Sequence, residues 1–287
     1  MLLVASSTRQ GEEQIISTIT VWDFIDGHKD IFCKSMVPIP ITASSWNPYL
    51  EDSKSGDEFV TISERCYHYW KITKNLQLQY QEGELPPQSE GFRDKSDAFT
   101  CLAYVKPDQL HHSVYLLIGL RSGFVWLTDT RVNQFLFKVK VLDDACAGVQ
   151  RIFSSHARIV VEAKNGTRIH SWDQSGRNGD KEYSPHNPYN FFIGKEQSLS
   201  IDGNFKSSFY DDTGNQIIAL STSGSIWYLN YVEDATLRLK SCHWPTSDIS
   251  AVDYKYVSPN EFSIEDEQDD SYTFDQNYQI ASASSDG

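Results

Sequence analysis

Three stretches of this sequence hold residue types that could do chemistry. His111-His112 has the donor chemistry of a metal-ligand pair. Residues 261–275 (EFSIEDEQDDSYTFD) gather seven acids and no base, the hard oxygen donors that a calcium ion takes. Residues 121–170 hold eight bases, Arg121, Arg131, Lys138, Lys140, Arg151, Arg158, Lys164 and Arg168, against the four acids Asp129, Asp143, Asp144 and Glu162. A cationic stretch of this kind makes no bonds, but its field would speed association with an acidic partner.

The first two stretches have simpler readings. Adjacent residues on a strand point to opposite faces, so the two histidines need not converge on one ion. The acidic run lacks the glycine and the spacing of an EF-hand loop and reads as a solvated surface insertion. Asn165-Gly166-Thr167 matches a glycosylation acceptor but falls where the local pattern needs a tight turn. No Gly-rich phosphate loop follows a strand, no G-x-S-x-G elbow is present, and Ser, His and Asp converge on no recognisable spacing. The expectation is a protein that is not an enzyme, with no metal, no cofactor and no catalytic residue. Its partner contacts would use Arg131, Lys138, Lys140, Arg151, Arg158 and Arg168.

The elements that must carry those bases repeat. Residues 215–231 (NQIIALSTSGSIWYLNY) place two apolar, β-branched and aromatic runs around four small residues, a hairpin signature in which Gly224 supplies the tight reversal. Residues 60–72, 116–129, 159–173 and 2–24 align on this unit and close on Trp70-Lys71, Thr128-Asp129, Trp172-Asp173 and Trp22-Asp23, as residues 215–231 close on Leu229-Asn230. The steps between closings are about 48, 58, 44 and 57 residues, at or above the roughly 40 to 45 of a four-stranded propeller blade. A hairpin of this kind cannot bury both faces alone, so neighbouring blades must cover it.

The chain then divides into blades at 1–26 (partial), 31–73, 97–141, 147–174, 191–240 and 249–287 (partial), about five blades and a truncated sixth. Residues 6–17 read as a polar insertion between paired strands. Residues 41–46 read as an inner strand ended by Asn47-Pro48, 81–95 as an exposed loop, and 135–141 as an outermost strand. Residues 258–277 read as an acidic loop, and 280–287 stop at a hairpin turn. An edge left open there makes this an expected segment of a longer, multi-blade protein.

The composition agrees. The aromatic content of 13% suits strands packed on two sides. No apolar run nears the roughly 18 residues of a membrane span, and Met1 is not followed by a basic region and a cleavage site. A soluble, cytosolic-side protein is therefore expected. Twenty-five Lys and Arg against 39 Asp and Glu give a net charge of −14, which disfavours nucleic acid and anionic membranes as partners. The five cysteines, Cys33, Cys66, Cys101, Cys146 and Cys242, are scattered and odd in number, so free thiols are expected rather than a disulfide framework or a zinc site.

With the blades laid out, the chain resembles the WD-repeat superfamily over nearly all its length. Val21-Trp22-Asp23 and Ser171-Trp172-Asp173 match its closings, and Cys242-His243 stands where its Gly-His dipeptide would introduce a blade. Lys71 and Asn230 replace the closing Asp, and the His, Ser or Thr, Asp and Trp network of regular blades is intact in no repeat. More narrowly, residues 222–244 (TSGSIWYLNYVEDATLRLKSCHW), the A-S-x-S-x-D-G turn at 281–287, the strand at 99–104 with the hairpin at 119–125, and LLVAS followed by ITVWDF resemble the proximal centriole family of large WD-repeat proteins. Axonemal flagella-associated WD-repeat proteins and echinoderm microtubule-associated-like proteins share part of the pattern. The resemblance implies an all-β, tandem-propeller scaffold in the cytoskeleton, on the microtubule wall of a centriole, basal body or ciliary axoneme, with tubulin or neighbouring proteins as partners. A propeller adaptor or coat subunit in another cytosolic complex is the alternative.

Overall fold

The computed structural model describes residues 2–10, 14–23, 30–50, 57–86, 92, 96–106, 114–143, 148–155, 158–166, 168–174, 191–192, 195–200, 204–222, 225–231, 235–239, 249–256 and 278–284. All its regular elements among these are strands. The first sheet joins β1 (Leu2–Gln10), β2 (Gln14–Asp23) and β3 (Asp30–Val37) in that order. The second joins β4 (Ala43–Trp46), β5 (Glu58–Ile62), β6 (Tyr67–Ile72) and β7 (Leu78–Glu82). The third joins β8 (Phe99–Val105), β9 (Tyr115–Leu120), β10 (Phe124–Asp129) and β11 (Gln134–Lys140), and the fourth β12 (Val149–Ser154), β13 (Arg158–Ala163), β14 (Arg168–Asp173) and β15 (Lys195–Ser200). A fifth sheet holds β16 (Phe205–Tyr210), β17 (Gln216–Ser221), β18 (Ile226–Asn230) and β19 (Ala235–Leu239), and a last pair holds β20 (Ile249–Tyr256) and β21 (Tyr278–Ser284).

The chain forms two compact units, Met1–Ser200 with Tyr210–Asn215, and Ile201–Phe209 with Gln216–Gly287. In the first unit β4, β8 and β12, each the leading strand of its sheet, lie side by side. Side chains of period two then send alternate residues into the two gaps that flank each sheet. On β9, Leu116, Ile118 and Leu120 face a core shared with Val60 and Ile62 of the second sheet, while Tyr115 and Leu117 face one shared with Val149 and Val161 of the fourth. Phe59, Trp70 and Ile72 turn the other way, onto Ile19 and Val21 of the first sheet. Every residue of β9 and of β13 is buried; β9 reads as an unbroken apolar run, while β13 buries Arg158 and Glu162 along with its apolar residues. In the second unit Leu220 and Ile226 form a smaller core of their own.

Local chemistry sets the reversals. Asn47 Oδ1 accepts the Tyr49 amide at 3.1 Å, which bends the chain after β4. Gly166, at φ +69°, donates to Ala163 O at 2.9 Å and makes the β13–β14 turn, the role expected of Asn165-Gly166. Gly148 sits at φ +93°, and a Cβ there would lie 2.1 Å from the backbone oxygen of Arg121. The third and fourth sheets can close on each other at that point only over a glycine.

Several sequence expectations need correction. Residues 6–17 are no insertion: β1 and β2 pair continuously from Leu2↔Trp22 to Gln10↔Gln14, because Ser and Thr serve an alternating strand as well as a loop. Residues 30–37 belong to the first sheet as β3 rather than to a second blade, and 195–200 complete the fourth sheet as β15 rather than opening a fifth. Gln81 and Glu82, expected in a loop, pair with Tyr69 and His68 as the end of β7. The misplaced strands are outer ones with wet faces. Four of the five residues of β7 are exposed, so no apolar run marks it. Gly224, His111-His112, residues 258–277, Cys146 and Cys242 lie outside the described residues. Cys33, Cys66 and Cys101 are free. Burial pushes the Cys101 thiol up to about 12, against a lowering hydrogen bond from Thr100.

Candidate interaction surface

The six bases expected to form a contact surface do not form one. Strand geometry splits them. The β9–β10 turn carries Arg121 and the β13–β14 turn carries Lys164, and these two turns are stitched at one end of the third and fourth sheets. There the Lys164 amide donates to Gly148 O at 2.7 Å, Gly148 abuts Arg121, and Arg168 Nη1 lies 3.6 Å from Asp143 Oδ2. Lys140 pairs with Phe124, the first residue of β10 after that turn, and so reaches the same end. Lys138, two residues earlier on the same face of β11, holds its ammonium 5.0 Å from the Phe124 ring centroid. Arg151 on β12 faces Glu162 across the sheet, Nε to Oε2 3.9 Å, and the Tyr210 hydroxyl donates to the other oxygen of that carboxylate.

Arg131 and Arg158 lie at the opposite end. Arg131 sits in the β10–β11 turn, where Asp129 accepts its amide at 2.9 Å and its Nη2 at 3.1 Å. The bond to Asp129 raises the guanidinium above its ordinary range and keeps it charged. Arg158, expected on the surface, is a correction: it is 3% exposed. Its Nη1 donates to Ser171 Oγ at 2.9 Å and to Gln197 Oε1 at 3.2 Å, and its Nε to Asn215 Oδ1 at 3.1 Å. It pins strands together and presents no charge to a partner.

One base of the end face was not legible in the local charge count. Arg65, in the β5–β6 turn, is exposed, donates from Nη2 to Asp97 O at 3.1 Å and stacks 4.8 Å from the Phe92 ring centroid. Asp97 in turn accepts the Ser122 amide at 3.0 Å and the Ser122 hydroxyl at 2.7 Å, which sets the β9–β10 turn beside the β5–β6 turn. Arg65 precedes Arg121 by a whole blade, so only the fold brings the two near one another. The end face of the second to fourth sheets therefore carries Arg65, Arg121, Lys140, Lys164 and Arg168, with the acids Glu64 and Asp143 among them.

This surface can attract and orient carboxylates. Among the described residues no group of three or more His, Cys, Asp or Glu could hold a metal ion, and no helix is long and apolar enough to cross a membrane. Of the side-chain network of regular repeats, the second sheet keeps Trp70 Nε1 donating to Thr61 Oγ1 at 2.8 Å.

No protein-family model matches the chain. It is 23% identical over 217 residues to human (Homo sapiens) WD repeat-containing protein 90, a match that covers 75% of this chain and 11% of that protein. The chain thus spans about a tenth of the length of the relative it matches. Among solved structures, the β-propeller domain of Cps50 (Swd1) from Myceliophteria thermophila superposes with a TM-score of 0.59 at 14% identity, covering 83% of this chain and 71% of that one. Sqt1 from Saccharomyces cerevisiae also reaches 0.59, at 10% identity, over 94% of this chain and 66% of that one.

Proposed function

We propose that this chain, an all-β WD-repeat propeller, is a noncatalytic scaffold segment attached to the microtubules of centrioles or cilia, and that its basic end face makes the contact. The fold supports an interaction role, since blades offer loops and strand edges to partners and no reactive group. The narrower reading draws on the likeness to WD repeat-containing protein 90 and on the family resemblance in residues 222–244 and 281–287.

The observation that carries it is the separation of charge. A chain of net charge −14 would be repelled by an acidic wall, yet one end of its best-packed sheets gathers five bases. At a Debye length of about 8 Å in physiological salt, a partner touching that end feels those bases, offset in part by Glu64 and Asp143, more than the acids elsewhere on the chain. The cationic end thus steers and orients an acidic surface. Tagged full-length protein viewed by microscopy should concentrate at centrioles, basal bodies or along axonemes. A diffuse distribution, or one confined to another organelle, would overturn the assignment.

A further inference from the structure

Arg131, at the opposite end, borders a cleft that the end face does not use. The cleft, about 370 Å³, lies between β6–β7 of the second sheet and the β10–β11 turn, walled by Glu58, Tyr69, Lys71, Tyr80, Arg131 and Val132. Asn47, Glu58, Thr130 and Arg131 also border a neighbouring cavity of about 440 Å³ lined further by Tyr49 and Lys106. The walls are fixed by bonds between sheets. Tyr69 OH and Thr128 Oγ1 are 2.9 Å apart, and Asn133 Nδ2 donates to Glu82 O at 2.8 Å.

Two properties of these walls define a ligand. Of the three lining cations, Lys71 pairs with the lining carboxylate Glu58 at 3.3 Å and Lys106 is buried, which leaves Arg131 as the exposed cation turned to the cleft. Asp129 holds Arg131 from behind through Nε and Nη2, so the guanidinium is fixed in place while Nη1 keeps its own donors for another acceptor. Beside these charges stand large apolar groups in water: Val132 is 62% exposed and Tyr80 50%. Two adjoining cavities that share a wall and carry exposed side chains suit a peptide segment more than a compact small molecule.

We propose that this cleft docks an extended segment of a partner protein that presents a carboxylate to Arg131 and an adjoining aromatic or apolar side chain to Tyr80 and Val132. The inference rests on the interaction role proposed above but concerns a second surface. The test selects binders to the purified full chain from a displayed library of random peptides, then measures the selected peptide by fluorescence anisotropy. Selected peptides should pair Asp or Glu with an aromatic or apolar residue. Their affinity should fall about tenfold or more with Arg131→Glu and with Val132→Asp, and less than about twofold with Lys140→Glu. Val132 is already in solvent, so its replacement leaves folding intact. Absence of any binder, selection of basic peptides, or equal binding to Arg131→Glu and Val132→Asp would overturn the cleft. So would a fall with Lys140→Glu alone, which would move acidic binding to the end face and leave the scaffold reading standing. Self-association abolished by Val132→Asp would assign the cleft to a second copy and overturn the peptide. Peptide binding as expected, together with full-length protein absent from centrioles and axonemes, would keep the cleft and remove the scaffold reading.

Discussion

Asp97 and Arg158 are buried charges of opposite sign that each hold several partners, at opposite ends of the first unit. Both are 3% exposed. Asp97 accepts from the Ala98 amide at 3.1 Å and from both the amide and the hydroxyl of Ser122, so two residues, one of them adjacent, supply all three donors. Arg158 needs acceptors, and it takes them from side chains 13, 39 and 57 residues away, on β14, on β15 and in the turn before β17. Ser155 extends that web: its hydroxyl accepts the Arg158 amide at 3.0 Å and donates to Thr213 O at 2.7 Å. The anion is met by two residues that include backbone N–H donors, whereas the guanidinium, which only donates, draws side-chain acceptors from three separate segments.

The difference predicts an order of damage. Arg158→Ala strands Ser171, Gln197 and Asn215 at once and should cost about 3–5 kcal/mol in urea unfolding of the chain. Asp97→Ala removes three bonds, but two of the donors, in exposed or half-buried turns, can find water; the expected loss is about 2–3 kcal/mol. If Asp97→Ala proves the more damaging, the comparison is broken. Ser171→Ala removes one bond to the guanidinium and should cost about 1.5 kcal/mol, with Asp97→Ala on the same background adding in full because the sites are far apart.

A smaller, pH-dependent effect comes from His68 on β6, which is buried but carries no fixed charge at neutral pH. Burial pushes its imidazole below the usual range, against a raising influence of Glu82. The unfolded chain therefore takes up this proton first as pH falls. The stability it contributes is intact above about pH 6.5 and drains below it, at no more than about 1.4 kcal/mol per pH unit. His68→Phe should flatten that part of the pH profile, and an unchanged slope would show that the neutral imidazole is not what burial enforces. Smallest of all, Lys140→Glu should shift stability by less than about 0.5 kcal/mol, as for other exposed strand positions, since its role lies in contact and not in folding.

Much of the architecture was legible because the buried hairpins announce themselves. YLLIGL and FVWLTD are buried on both faces, and no loop can be built from such runs. The outer strands were legible only in part, since β7 (LQYQE) and β15 (KEQSLS) have the polarity of connectors and are strands by virtue of the partner they pair with. The charge count over 121–170 found Lys140, Lys164 and Arg168 but could not tell that Arg158 points inward, because its acceptors lie at Ser171, Gln197 and Asn215. Nor could it reach Arg65, or the cleft assembled from Glu58, Lys71 and Arg131, since three separate stretches meet there.

The account depends on the cationic end being the face that meets the microtubule. Co-sedimentation of the purified full chain with polymerised tubulin, wild type against the double reversal Lys140→Glu with Arg168→Glu, tests this most directly. The prediction is a salt-sensitive pelleting of the wild type that the reversal weakens about tenfold, with the melting temperature unchanged. Pelleting that is identical for the two proteins would contradict it.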